Sequence, residues 1–201
     1  MKVVYLGIWQ NEKEPNVELV SEFDLSSFNR FYSGSVPGFI RTAAEIIAGR
    51  TKPGERKGIE DNGHMFYTDC RSEGICAFVV TDQEYPETAG KAAVFHIANE
   101  FTSKYPRTDF IDISKANANS IKWPELKDTL KRFQDPHEAD KFMKIQSELD
   151  ETKFTMHKTI ESILERGEKI DSLVAKSDQL SSTSKMFYTQ AKKQNSCCIV
   201  M

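Results

Sequence analysis

Hydrophobic and polar positions follow two different rules along this chain, and the change falls near residue 134. Before it, short apolar runs alternate with turn residues. Val3-Val4-Tyr5-Leu6-Gly7-Ile8-Trp9 is β-branched and aromatic and predicts a strand. A polar turn around Asn11–Asn16 leads into a second strand, Val17–Phe23. Ser35 is placed to cap a helix with Pro37 in its first turn, and Phe39, Ala43, Ile46 and Ile47 share a face of it. Arg50–Asn62 is rich in Gly, Lys and Glu and reads as loop. His64–Cys70 and Ile75–Thr81 predict a hairpin joined by Arg71–Gly74. Pro86 opens a long helix with Ala89, Ala93, His96, Ile97 and Phe101 inward, Phe110–Ile113 predicts a short strand, and Pro124 starts a helix through Leu126, Leu130 and Phe133. This is an α+β pattern: an antiparallel sheet with helices packed on it.

Beyond residue 134 the helix breakers nearly vanish, leaving Gly167 and Pro136 alone of ten glycines and seven prolines. Asp135-Pro136-His137-Glu138 is a helix start, with an N-cap, a proline at the first position and an acid at the third. Alternating steps of three and four then pick out Phe142, Ile145, Leu149, Thr152, Met156, Thr159, Ile163, Arg166, Ile170, Leu173, Ser177, Leu180, Ser184, Phe187, Ala191 and Gln194. Ten of these sixteen are apolar and most of the others small. A sustained 3.5-residue period predicts a coiled-coil seam rather than the face of a globular helix. One unbroken helix over this stretch would reach roughly 80 Å at about 1.5 Å per residue. The first half is too small to cover so long a rod, so the seam needs partner helices.

Composition narrows the function. The chain has 201 residues, 39% hydrophobic and 28% charged, with 27 Lys and Arg against 30 Asp and Glu, a net charge of −3. Mean hydropathy is −0.51. That balance leaves no footprint for nucleic acid. No apolar run approaches the ~20 residues of a membrane span, and the N-terminus lacks a signal-peptide profile. These features predict a cytosolic chain whose four cysteines, Cys70, Cys76, Cys197 and Cys198, are thiols, the first two as core fillers. Enzyme readings find no support. Gly49-Arg50-Thr51-Lys52-Pro53-Gly54 continues with Glu55-Arg56, which lacks the lysine and hydroxyl of a phosphate-binding loop. His64, His96, His137 and His157 have no metal-ligand spacing. Trp9 and Trp123 read as core anchors.

Two motifs carry chemistry. Arg166 lies mid-seam, where a charge is costly unless paired or hydrogen-bonded, and where it can fix register and partner identity. A guanidinium presents five donors, so partner Gln carbonyls or carboxylates would satisfy it. Solvation beside an imperfect seam is the alternative. The second motif is the terminal Cys198-Ile199-Val200-Met201, a prenylation pattern whose final Met favours farnesyl. One lipid chain gives only marginal membrane binding. Cys197 is placed for reversible palmitoylation, and Lys185, Lys192 and Lys193 add positive charge with no acid after Asp178.

The run Leu164-Glu165-Arg166 within this heptad resembles the motif of R-type SNAREs, and the first half resembles a longin domain. With the tail, nearly the whole chain is similar to the prenylated longin R-SNAREs of the synaptobrevin superfamily. The resemblance implies a profilin-like longin domain over 1–134, an R-SNARE coiled-coil motif over 135–195 and a lipidation tail over 196–201. It implies a non-enzymatic, cofactor-free protein of vesicle fusion, with Arg166 meeting one Gln from each of three partner Q-SNARE helices. It implies farnesyl and methyl ester on Cys198, palmitoyl on Cys197 and removal of Ile199, Val200 and Met201. Its place would be the cytoplasm, cycling onto the cytosolic face of Golgi, ER-derived vesicle and endosomal or vacuolar membranes. A prenylated coiled-coil adaptor without fusion activity is the competing reading; Arg166 as the seam's one charged layer favours the SNARE.

A free seam and a farnesyl group both expose apolar surface. The resemblance implies an apolar groove at Phe39, Ala43 and Ile46 that would shelter them. The expectation is that 135–195 breaks into shorter helices, bends at Gly167 and at Ser181–Ser184, and wraps this groove with the farnesyl inside. Phosphate at Ser177, Ser181 or Ser184 would open that clamp. The alternative for Phe39 is ordinary longin core.

Overall fold

The structure, a computed structural model, describes residues 2–28, 34–61, 63–139, 141, 154–177, 180–182 and 185. Among them a six-stranded sheet is built from β1 Val3–Gln10, β2 Val17–Phe23, β3 Arg56–Asp61, β4 His64–Cys70, β5 Ile75–Asp82 and β6 Phe154–His157, in the order β2-β1-β5-β4-β3-β6. With it run the α-helices α1 Val36–Gly49, α2 Glu87–Lys104, α3 Glu125–Arg132 and α4 Ile170–Lys176. Neighbouring strands are antiparallel except β6, which runs parallel to β3 at the edge.

The arrangement is three layers. Ile75, Ala77 and Val79 of β5 pack with α2 and α3 on one face, while Cys76, Phe78 and Val80 pack with α1 on the other. Both faces of the central strands are therefore covered, which is why Ile75–Val80 reads as a continuous apolar run instead of alternating with polar residues. Trp9 and Trp123 are buried in opposite layers, as anchors should be. Pro86 and Pro124 stand at the N-caps of α2 and α3. The Asp135 carboxylate accepts from the His137 amide at 3.0 Å, the predicted helix start, and residues 136–139 are helical.

Several expectations are corrected. Arg56–Asp61, inside the stretch read as loop, is strand β3: only Gly58 and Ile59 are buried, so its charged residues mask a strand that β4 holds by antiparallel pairing. Phe110–Ile113 is turn and irregular backbone following a short 3₁₀ helix, Arg107–Asp109, with Phe110 buried from the turn. Ser35 occupies the N-cap of α1 but makes no side-chain cap bond. Cys70 and Cys76 are joined in a disulfide, not free thiols. They are opposed partners at the last rung of β4 and β5, with Cα atoms 3.9 Å apart and both side chains on the α1 face.

The largest departure is in the second half. Among its described residues there is no continuous helix: β6 is followed by a 3₁₀ helix, Ile160–Ile163, a turn, and α4. The bend at Gly167 is observed, with φ at +94°. Glycine adopts this left-handed region without the Cβ clash that other residues meet. The strand β6 was not foreseen.

Candidate functional site

The candidate site is the outer face of α1 and the C-terminal elements that lie on it. A polar chain first fixes α1 to the sheet. The Trp9 indole donates to the Tyr5 hydroxyl at 2.9 Å, and that hydroxyl donates to Glu18 at 2.7 Å. Arg41 of α1 donates to the same carboxylate at 2.7 Å and stacks over Phe23. Burial, followed by the Glu18 charge, holds the Tyr5 hydroxyl in its protonated form by pushing its pKa well up. A buried carboxylate needs such partners, and here they orient the helix.

So oriented, α1 presents two apolar stripes spaced four and three residues. Ile40, Ala44 and Ile47 are fully buried against the sheet. Phe39, Ala43 and Ile46 form the neighbouring stripe, half-buried at the margin of the same core. Ile47 thus leaves the face on which the sequence grouped it. The separation matters: the inner stripe belongs to the buried core against the sheet, and the outer stripe lies at the margin of that core.

Residues of the second half pack on the same side of the sheet as α1. Ile160, Ile170, Val174 and Leu180 are buried in the α1-side core, and Ile163 and Leu164 pack on its edge. Two polar contacts hold the cover. The Thr42 hydroxyl donates to the Gly38 carbonyl at 2.9 Å, leaving its oxygen to accept from the buried Ser177 hydroxyl at 2.8 Å. Arg50, just past α1, grips both carboxylate oxygens of Glu168, the nearer at 2.6 Å. That pairing pushes the Arg50 pKa up and holds Glu168 below the usual carboxylate range. The Glu168 carboxylate also accepts from the Glu165 amide, closing the turn that contains Arg166 and Gly167. A cavity of about 220 Å³ remains beneath α4, with Ile46, Lys115 and Leu173 in its wall. On β6, burial and then the Lys57 charge push the His157 pKa down.

The seam residues divide by place. Ile170, Ser177 and Leu180 are buried under the cover, and Ile163 and Leu173 are half-buried. Met156, Thr159 and Arg166 are exposed. Phe142, Ile145, Leu149, Thr152, Ser184, Phe187, Ala191 and Gln194 lie outside the described residues, as do Cys197, Cys198, Ile199, Val200 and Met201. Ser181 is exposed. The sequence reading missed Thr42, Arg50 and Glu168 as contacts, and missed Ile160 and Val174, which lie off the seam series traced above. The three-residue spacing of Ile160 and Ile163 was the available signal. Among the described residues no cluster of His, Cys, Asp and Glu could hold a metal, and no helix is long and apolar enough to cross a membrane.

Comparison with known proteins decides the family. The Synaptobrevin family model matches residues 141–199, the stretch carrying the heptad and Arg166. The Longin model, described as a Regulated-SNARE-like domain, matches residues 25–130. The chain belongs to the longin R-SNAREs of the synaptobrevin superfamily. This R-SNARE is 46% identical over 201 residues to Synaptobrevin homolog YKT6 of Debaryomyces hansenii and 43% identical to that of Saccharomyces cerevisiae, each match covering the whole of both chains. It is 42% identical to VAMP-like protein YKT62 of Arabidopsis thaliana, again over all of both chains. The R-SNARE is therefore a non-enzymatic protein of vesicle trafficking, and its SNARE motif is built for SNARE partners.

Proposed function

We propose that this R-SNARE drives membrane fusion by exchanging one packing of its apolar seam for another. In the exchanged state, 142–194 is a continuous helix zippered with three Q-SNARE helices, and Arg166 donates to a Gln carbonyl from each. In the state described above, α1 covers the seam and holds the motif inactive. The observation that carries this reading is that Ile170, Ser177 and Leu180, all seam positions, are buried against α1. A residue cannot fill both cores at once, so the two packings exclude each other.

The lipids set where zippering pulls. Farnesyl and methyl ester on Cys198, after removal of Ile199, Val200 and Met201, supply one weak anchor, and palmitoyl on Cys197 supplies the second that firm attachment needs. These covalent lipids are the only non-protein groups the mechanism uses. In the closed state the farnesyl shelters along Phe39, Ala43 and Ile46, which keeps a cytoplasmic pool off membranes. Release lets the chain cycle onto the cytosolic face of Golgi, ER-derived vesicle and endosomal or vacuolar membranes. Phosphate on Ser177 would put about two negative charges into a buried hydroxyl contact and open the cover; phosphate on Ser181 or Ser184 would act beside it.

The test is Arg166→Ala. Its three Gln partners would lose their donor, at about 1–3 kcal/mol for each buried group left unpaired. The expected result is a bundle that melts lower by circular dichroism while the free chain, in which Arg166 is exposed, keeps its own transition. Replacing the partners' glutamines should couple to Arg166 in a double-mutant cycle. An unchanged bundle melt would refute the layer assignment.

A further inference from the structure

We propose that Met156 is a methionine-oxidation site whose sulfoxide the folded-back chain tolerates and the zippered bundle rejects. The inference rests on the two-packing reading above and names a chemical modification that separates the packings. Met156 lies on β6 opposite Gly58 and is 43% exposed, the exposed large hydrophobic among the described residues. Its thioether rests where a side chain on Gly58 would stand: a Cβ built there falls 2.6 Å from the Met156 sulfur. The missing side chain lets the sulfur lie flat on the strand while the residue still faces water. In the seam, Met156 is the third layer before Arg166, separated from it by Thr159 and Ile163. A layer residue of a four-helix bundle is enclosed by its neighbours.

The chemistry needs only a hydroperoxide. The sulfur lone pair attacks the terminal oxygen of hydrogen peroxide, a sulfur–oxygen bond forms, the oxygen–oxygen bond breaks, and water leaves after proton transfer. Sulfur loses two electrons and the peroxide gains them. The product turns a flexible apolar side chain into a polar one, and methionine sulfoxide reductases reverse it. In the folded-back chain the residue is 43% exposed, so water is at hand to solvate the sulfoxide. Inside the bundle it is a buried acceptor among apolar layers, which is costly without a donor. Oxidation therefore leaves the closed chain intact and penalises zippering. Met65, half-buried on β4 against the α2-side core, is the internal control.

The experiment treats the full chain with graded hydrogen peroxide, maps the added oxygen by peptide mass spectrometry, and mixes the product with three Q-SNARE helices. Met156 should oxidise several-fold faster than Met65. The oxidised chain should keep its melting transition and scattering radius, yet form bundle with about tenfold weaker affinity. Sulfoxide reductase should restore assembly, and Met156→Leu should assemble equally well before and after peroxide. Met156 oxidising no faster than Met65, or Met156→Leu losing assembly as the wild type does, overturns the site. An untreated chain that forms no bundle overturns the two-packing reading instead.

Discussion

One hydroxyl contact sets how firmly α4 is held. Because Thr42 spends its hydrogen on the Gly38 carbonyl, Ser177 is the donor between them. Thr42→Val keeps the shape of the site and removes the acceptor. We expect a cost of about 1–3 kcal/mol to the closed state, read as faster hydrogen exchange in α4 with β1 and β5 amides unchanged. Ser177→Ala should cost less, since Thr42 keeps its bond to Gly38, and the double variant should cost less than the sum. Equal effects on α4 and the central strands would mean the contact stabilises the longin core instead. At this scale the sequence was half legible. Ser177 stood out twice, as a seam position and as a phosphate acceptor, yet its partner did not, because a threonine inside a helix looks the same whether its oxygen is free or engaged.

At the scale of elements, the turn at Gly167 belongs to one state only. In the folded-back chain its φ of +94° disfavours any Cβ, although no atom crowds the position. In a continuous helix the same glycine costs about 1 kcal/mol against alanine. Gly167→Ala should therefore act twice, straining the turn by roughly 1–2 kcal/mol and stabilising the helix. Together these favour the extended motif by about 2 kcal/mol, roughly thirtyfold. Faster assembly with Q-SNARE helices, followed by fluorescence transfer across the motif, checks it; an unchanged rate would mean the turn does not limit opening. The elements that periodicity missed share a cause. β3 is held by pairing on both edges and buries only Gly58 and Ile59, so its polar residues hid it. Phe110 looked like strand because it is aromatic and buried, but it is buried from a turn. A 3.5-residue period reports the packing of an assembled bundle, and a lone chain has another packing to adopt.

For the whole molecule, the two stripes of α1 predict opposite phenotypes. Phe39→Glu puts charge on the outer stripe, where only the cover is lost: the radius by small-angle scattering should grow while the longin melting transition survives. Ile47→Glu puts the same charge at a fully buried position against the sheet, where an unpaired charge is expensive, and should abolish that transition. A folded Phe39→Glu variant of unchanged radius would remove the clamp. The division into a mixed α+β half and a heptad half was readable from breakers and spacing. The return of the second half onto the first was readable only through the need to hide its seam.

The parallel strand β6 carries a further consequence. While it pairs with Arg56–Ile59, β3 is an inner strand and the short β6 forms the edge of the sheet in its place. When the motif departs to zipper, a row of backbone donors and acceptors is uncovered, the kind of template on which strangers add strands and aggregates begin. Arg56, Lys57, Glu60 and Asp61, the charges that concealed β3 from a pattern search, stand along that margin as its guard. Opening thus trades one sticky surface for another. A fusion protein built this way does well to open only where its partners already wait.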